Sequence, residues 1–282
     1  DENYCLLLVG CGYLGRAVAR LAAGRYQRVE AYVSNPTPRP ELEQLGAIIH
    51  PGDVFDDSKL PAGVSGDDKK WVKHALVMLP PSTMPSAEGS IEKLSNKIEA
   101  ADCARSVLIS STGVYAGSAT EAVTAESNSF GHSKRSIRLR QIETEWLAAA
   151  DTNSILRLAG IYGPGRVIGL QNLKAGQSVG GSPDAWLNLI HVEDAAELSL
   201  RCLRSSLARV ELGADGEPVK RGEYYQYVAA SKNLPEPLFE GALTRNTQSK
   251  RCDPGSSFQR LLFQPRFPNY RAGVDDALVN GG

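Results

Sequence analysis

The chain has 282 residues, 42% of them hydrophobic and 22% charged, an ordinary globular composition that argues against disorder. At this length roughly 75% of the surface of the unfolded chain can be buried, so neither metal nor disulfide staples are needed. The 31 basic and 32 acidic residues leave a formal net charge of -1, which speaks against nucleic acid or an anionic membrane as partner and for a small molecule.

The cysteines Cys5, Cys11, Cys103, Cys202 and Cys252 are odd in number and scattered, with no CxxC pair and no histidine at metal-ligand spacing. They read as reduced thiols of an intracellular protein without a metal site. Apolar runs stop at about the length of Cys5 to Val9, far short of the ~20 residues of a membrane span, so a soluble protein is expected. The chain begins at Asp1 rather than at Met, so the expected location is the cytoplasm or an organelle interior after removal of a presequence.

In chain order, short apolar runs recur at Tyr4 to Val9, Arg28 to Val33, Ala47 to Ile49, Ala75 to Leu79, Ser106 to Ser110 and Ser154 to Leu158. Continuous rather than alternating apolar strands imply burial on both faces, and helical stretches between them supply crossovers. This pattern predicts an α/β fold, a Rossmann-type doubly wound parallel sheet. Between the fourth and fifth runs, Ile91, Leu94, Ile98 and Ala101 fall at helical spacing, with a helix start near Ser90. The stretch from Ser133 to Ala150 repeats the pattern, with Ile137, Ile142, Trp146 and Leu147 expected inward.

From about residue 205 prolines break every element short, which predicts a small C-terminal appended region. The expected division is a dinucleotide-binding domain over 1–207, with a substrate-loop insertion about 161–186, and a cap over 208–282. Pro61 to Gly66 and Gly176 to Ser182 read as surface loops.

The first strand runs directly into Val9-Gly10-Cys11-Gly12-Tyr13-Leu14-Gly15. In such a turn the first glycine allows the tight bend, the second lets the backbone approach a pyrophosphate, and the third lets the helix pack on the strand. The following helix, with Leu14, Val18 and Leu21 on one face, points unpaired amides and its positive end at the phosphates. The acidic residue expected roughly 20 positions on, which would hold the adenosine ribose, is missing. The second strand ends Tyr32-Val33-Ser34-Asn35, with Arg39 beyond. Small polar groups and an arginine suit a 2'-phosphate, so NADP is expected and NAD is the second choice. Arg39 also reads as a solvated loop residue after Pro38.

Several segments, taken in order, resemble the extended or atypical short-chain dehydrogenase/reductase superfamily of the NAD-dependent epimerase/dehydratase type. They are Gly10 to Gly15, Gly52-Asp53-Val54, Ile109 to Tyr115, Phe130-Gly131-His132-Ser133-Lys134, Arg157 to Gly165, Ile190 to Asp194 and Pro268 to Gly273. The resemblance implies that Asp53, with Val54, receives the adenine and that Leu79, Pro80 and the residues to Ser82 floor the nicotinamide half. It also implies that Ser111 hydrogen-bonds a substrate oxygen, while Lys134 holds the nicotinamide ribose. On its own merits Ser111 also reads as a capping or turn hydroxyl.

The family's proton-transferring tyrosine stands four residues before the lysine, and here that position is Phe130. A phenol with an unperturbed pKa of about 10 can pass a proton once that value is lowered; a phenyl ring cannot. Helical spacing would put Lys134 one turn beyond Phe130 on the same face. Two groups present themselves as substitutes, His132 and Tyr162, read equally as a solvated histidine and a packing residue; His191 reads as structural. The cluster Lys134, Arg135, Arg138 and Arg140 reads as a solvated helix face or as a contact for an acidic protein partner.

Three functions stay open: a dinucleotide-binding protein with tyrosine-dependent hydride transfer impaired, an active NADP-dependent oxidoreductase or epimerase with another proton donor, and a non-catalytic structural or assembly subunit.

Overall fold

The computed structural model describes residues 3–34, 40–55, 60, 71–117, 122–205, 209–241 and 250–281. Asn35, Arg39 and the stretch from Pro61 to Gly66 lie outside the described residues. The chain folds into two compact units. The first is Asp1–Ser110, Arg138–Arg157 and Ala196–Glu211; the second is Ser111–Ile137, Leu158–Ala195 and Leu212–Gly282.

In chain order the elements are β1 (Asn3–Val9), α1 (Tyr13–Ala22), β2 (Arg28–Val33), α2 (Pro40–Glu43), β3 (Ile48–Pro51), β4 (Trp71–Val77), α3 (Ser90–Ala100) and β5 (Cys103–Ser111). A 3-10 turn (Thr112–Tyr115) leads to β6 (Ala122–Val123), α4 (Lys134–Ala149), β7 (Asn153–Leu158) and β8 (Gly160–Tyr162). Next come α5 (Leu170–Lys174), β9 (Val179–Gly180), β10 (Trp186–Leu187), β11 (Leu189–His191), α6 (Val192–Arg204) and β12 (Val210–Gly213). The chain closes through β13 (Val219–Lys220), α7 (Arg221–Ser231), β14 (Phe239–Glu240), β15 (Arg251–Cys252), α8 (Gly255–Arg260) and α9 (Tyr270–Asn280).

The central sheet has the order β12-β7-β5-β4-β1-β2-β3. Pairing is parallel from β1 to β2 and β4, from β2 to β3 and from β4 to β5. This is the expected doubly wound architecture, with the order reversing between β1 and β4. The apolar runs explain it: Leu6 to Val9 and Ala75 to Val77 are all essentially inaccessible, as strands covered on both faces must be. The six strands expected from those runs are present, and β12 is a seventh.

On the first unit's core, α3 buries Ile91, Leu94 and Ile98, the predicted face, each contributing roughly 1.5–3 kcal/mol. The predicted inward face of α4 needs correction. Ile142 and Trp146 are buried, but Ile137 is 47% exposed and Leu139 takes the core position instead. The second unit has its own core, in which Tyr162, Leu189, Tyr224, Val228, Tyr270 and Val274 meet. The stretch from Gly176 to Ser182, expected as a loop, contains β9, which pairs with β14 and buries Val179.

One polar network lies inside the first unit. Arg157 on β7 donates Nη2 to Glu143 Oε2 of α4 at 2.7 Å and Nε to Oε1 at 3.1 Å, while Ser110 Oγ at the end of β5 donates to Glu143 Oε1 at 2.6 Å. All three side chains are buried, so removing one partner strands a charge. Glu143→Ala is expected to lose about 3–5 kcal/mol in urea unfolding, most of it regained in the double variant Glu143→Leu/Arg157→Met. Comparable losses in the single and double variants would show that the pair is not the source.

Candidate functional site

The glycine turn leaves β1 where the strand order reverses. Gly10 has φ of +84°, a left-handed conformation, and an added Cβ there would lie 3.0 Å from Leu79 Cδ2 and 3.2 Å from the Met78 carbonyl oxygen. At Gly15 it would lie 3.0 Å from Cys11 Sγ and 3.2 Å from the Gly10 carbonyl oxygen. At Gly12, by contrast, nothing stands within 4 Å of the added atom. Two glycines are thus demanded by packing, and the middle one borders open space at the start of α1. No side chain caps that helix and its first turn carries no acid, so its leading amides suit an anion. Tyr13 is half-buried and Leu14 buried beneath the turn.

Of the residues expected around the adenine half, Ser34 is exposed directly after β2. Asp53 is exposed, and its Oδ1 accepts the Phe55 amide at 2.9 Å. Val54 is buried, its carbonyl accepting Lys97 Nζ at 2.9 Å. Leu79 packs on the first unit's core and Pro80 is exposed. Arg138 holds the segment that follows by donating Nη2 to the Pro85 carbonyl, a contact unforeseen from sequence and a structural use for one member of the basic cluster.

Ser111, Phe130 and Lys134 belong to the second unit. Ser111 Oγ accepts the Gly113 amide at 3.0 Å, so the hydroxyl caps the 3-10 turn. Phe130 stacks on Tyr115 with ring centroids 5.8 Å apart and planes 3° from parallel. Next to it, an added Cβ at Gly131 would lie 1.9 Å from the Ala116 carbonyl oxygen, so only glycine fits. Ser136 Oγ bonds the Gly113 carbonyl at 3.0 Å and fastens the start of α4 to the same turn.

Helical spacing does not relate Phe130 to Lys134 as expected, because α4 begins at Lys134 and Phe130 lies in the segment before it. Lys134, Arg135 and His132 are exposed.

Two phenols of the second unit, Tyr115 and Tyr162, are engaged or buried where they stand. Tyr115 donates its hydroxyl to the Thr124 carbonyl at 2.8 Å. Tyr162 is fully buried; burial, and secondarily the neighbouring Asp215, push its pKa far above the ordinary phenol value. His191 is also buried, with Tyr162 against its ring edge and Phe267 3.9 Å away between centroids, and burial lowers its pKa. Among the described residues no group of acids, histidines and cysteines could hold a metal, and the five cysteines are buried and form no disulfide. Among them, too, no helix is long and apolar enough to cross a membrane.

No protein-family model matches the chain, and no curated protein does. Solved structures do match. A functionally unknown conserved protein from Silicibacter pomeroyi is 23% identical with a TM-score of 0.79, over 98% of this chain and 99% of its own. The Bordetella bronchiseptica enzyme WbmG, solved in complex with NAD, is 18% identical with a TM-score of 0.77, over 99% of this chain and 94% of its own. UDP-glucose 4-epimerase from Thermotoga maritima, solved with UDP-glucose, is 13% identical with a TM-score of 0.78, over 98% of each chain. This chain shares their fold. The resemblance to extended short-chain dehydrogenases is thereby borne out at the level of architecture.

Asp215, after β12, supplies a pH-dependent term. Its Oδ1 accepts the Glu217 amide at 3.1 Å, its Oδ2 has no hydrogen-bond partner, and burial pushes its pKa from 3.8 up to about 8. A raised folded-state value means that this group's contribution is complete below the unfolded value and is lost as pH climbs toward the folded one. Relative to the wild type, Asp215→Asn is expected to gain stability progressively between pH 4 and 8, with a slope of up to ~1.4 kcal/mol per pH unit in urea unfolding. An equal pH dependence in both proteins would contradict this.

Proposed function

We propose that the chain binds a nicotinamide dinucleotide at the Gly10 to Gly15 turn, with NADP preferred to NAD, and that tyrosine-dependent hydride transfer is impaired. The observation that carries the reading is the open face of Gly12 between two glycines held by packing, above an uncapped helix start. When bound, the dinucleotide supplies hydride chemistry. The amides after Gly12 and the positive end of α1 receive its pyrophosphate, and Asp53 and Val54 its adenine. The NADP preference rests on Ser34, Asn35 and Arg39, where a carboxylate would favour NAD. WbmG, of the same fold, was solved with NAD, which supports the cofactor class.

Ser111 is assigned to a substrate oxygen and Lys134 to the nicotinamide ribose, by the family resemblance. With Phe130 in place of a phenol, these residues orient a substrate without supplying its proton. A second reading, a non-catalytic subunit, is favoured by the same Phe130 and by Lys134 and Arg135, which stand exposed at the start of α4 for an acidic partner. Buried thiols outside any disulfide fit a reducing intracellular compartment for either.

Titration of the purified chain with NADPH and NADH, following nicotinamide fluorescence, is expected to show NADPH binding more tightly. Gly12→Glu, whose Cβ meets no atom within 4 Å, should fold normally and lose binding of both. Tighter NADH binding overturns the NADP preference, and no binding of either overturns the proposal. In Phe130→Tyr, carbonyl reduction by NADPH is expected to rise on the order of 10²-fold at unchanged NADPH affinity, in line with a restored general acid. No rise at intact affinity decides for the non-catalytic reading.

A further inference from the structure

Within the second unit a cavity of about 270 Å³ lies between the turn after β8, α5, the end of α7 and the end of α9. Its wall carries the cations Arg166, Lys174 and Lys232, the Gln171 amide, and the apolar side chains of Leu170 and Leu278, with no carboxylate among the described residues of the lining. Neither lysine forms an ion pair with a described residue, because the acids on the adjoining helices are turned to other partners. Asp275 Oδ1 accepts the Tyr227 hydroxyl at 2.7 Å, Asp276 faces His191 at 3.4 Å, and Glu223 holds Arg271 at 2.6 Å. Lys232 and Lys174 stand at the C-terminal ends of α7 and α5, whose partial negative charges offset each lysine only in part. Like charges gathered round one hollow repel, and an anion in the hollow reverses the sign of that interaction.

We propose that this cavity is a second ligand site, for a small phosphate monoester whose phosphate lies among Lys174, Lys232 and Arg166 and whose apolar body rests on Leu170 and Leu278. Lysines receive phosphate as point charges, and Arg166 adds its positive charge to the same wall. The volume falls just below the roughly 300–1,000 Å³ of pockets that take drug-sized ligands, which suits a small ligand. An added Cβ at Gly281 would lie 2.4 Å from the Gly165 amide nitrogen and 3.0 Å from Pro164 Cα, so the end of α9 sits directly on the turn that begins the cavity. A ligand there ties α5, α7 and α9 together and stabilises the chain by mass action.

The test is calorimetric titration of the full chain at low salt with n-butyl phosphate, inorganic phosphate and n-butanol. Butyl phosphate is expected to bind, to bind more tightly than inorganic phosphate, and to raise the thermal midpoint; n-butanol should not bind. Lys174→Gln/Lys232→Gln is expected to weaken butyl phosphate by at least about tenfold, while its ligand-free thermal midpoint stays at or above the wild-type value, because both side chains are exposed and their mutual repulsion is removed. No heat with butyl phosphate, or unchanged affinity in the double variant, overturns the site. Equal affinity for inorganic phosphate means an adventitious ion only and overturns it too. None of these outcomes depends on dinucleotide binding, which the nicotinamide titration reads separately.

Discussion

A parallel sheet covered on both faces makes an unpartnered polar group on its strands costly. Several titratable side chains inside the first unit answer to this constraint: Lys73 donates to the Ala101 carbonyl, His74 meets the Tyr26 hydroxyl at 2.9 Å, and Glu143 takes both Arg157 and Ser110. Burial pulls the His74 pKa down to about 4, so the ring is neutral at physiological pH and serves as a hydrogen-bonding member of the core. These groups are structural because each is consumed where it stands. Chemistry is confined to the carboxyl ends of strands and the turns that leave them, and the glycine turn after β1 is such a place.

The same constraint explains what was legible in the sequence. Strands β1, β2, β4, β5 and β7 stood out because double-sided burial demands unbroken apolar runs. β12 did not, since four residues with Glu211 among them carry too little pattern, and its place in the sheet comes from pairing with a strand some 50 residues earlier. The phase of α4 was misjudged at Ile137 for a related reason. Its inner face is set by Ser136, Leu139, Glu143 and Trp146, two of them polar, and a search for apolar spacing passes over residues whose burial is secured by hydrogen bonds. An arginine on an otherwise apolar strand, Arg157, was the available signal: a guanidinium there requires a buried carboxylate nearby.

Of the glycine turn, the sequence showed the spacing and the structure adds which glycines the packing requires. Gly10 and Gly15 answer to Leu79, Met78 and Cys11, whereas Gly12 answers to no protein atom. What sets Gly12 apart from other glycines with open space around them is its place at the start of an uncapped helix, where the leading amides favour an anion.

The segment around Phe130 separates scaffold from chemistry. Its seat is made by ring stacking on Tyr115, by Gly131 against the Ala116 carbonyl and by Ser136 bonded to the Gly113 carbonyl, and none of these contacts uses a phenolic hydroxyl. A tyrosine there would contribute the same ring to the stack and, in addition, an ionisable oxygen. These contacts of the seat are the same with or without such an oxygen, so the architecture can persist intact whether or not proton transfer does. Shared fold and shared reaction are separable at this one atom, and the packing of this segment speaks only to the first.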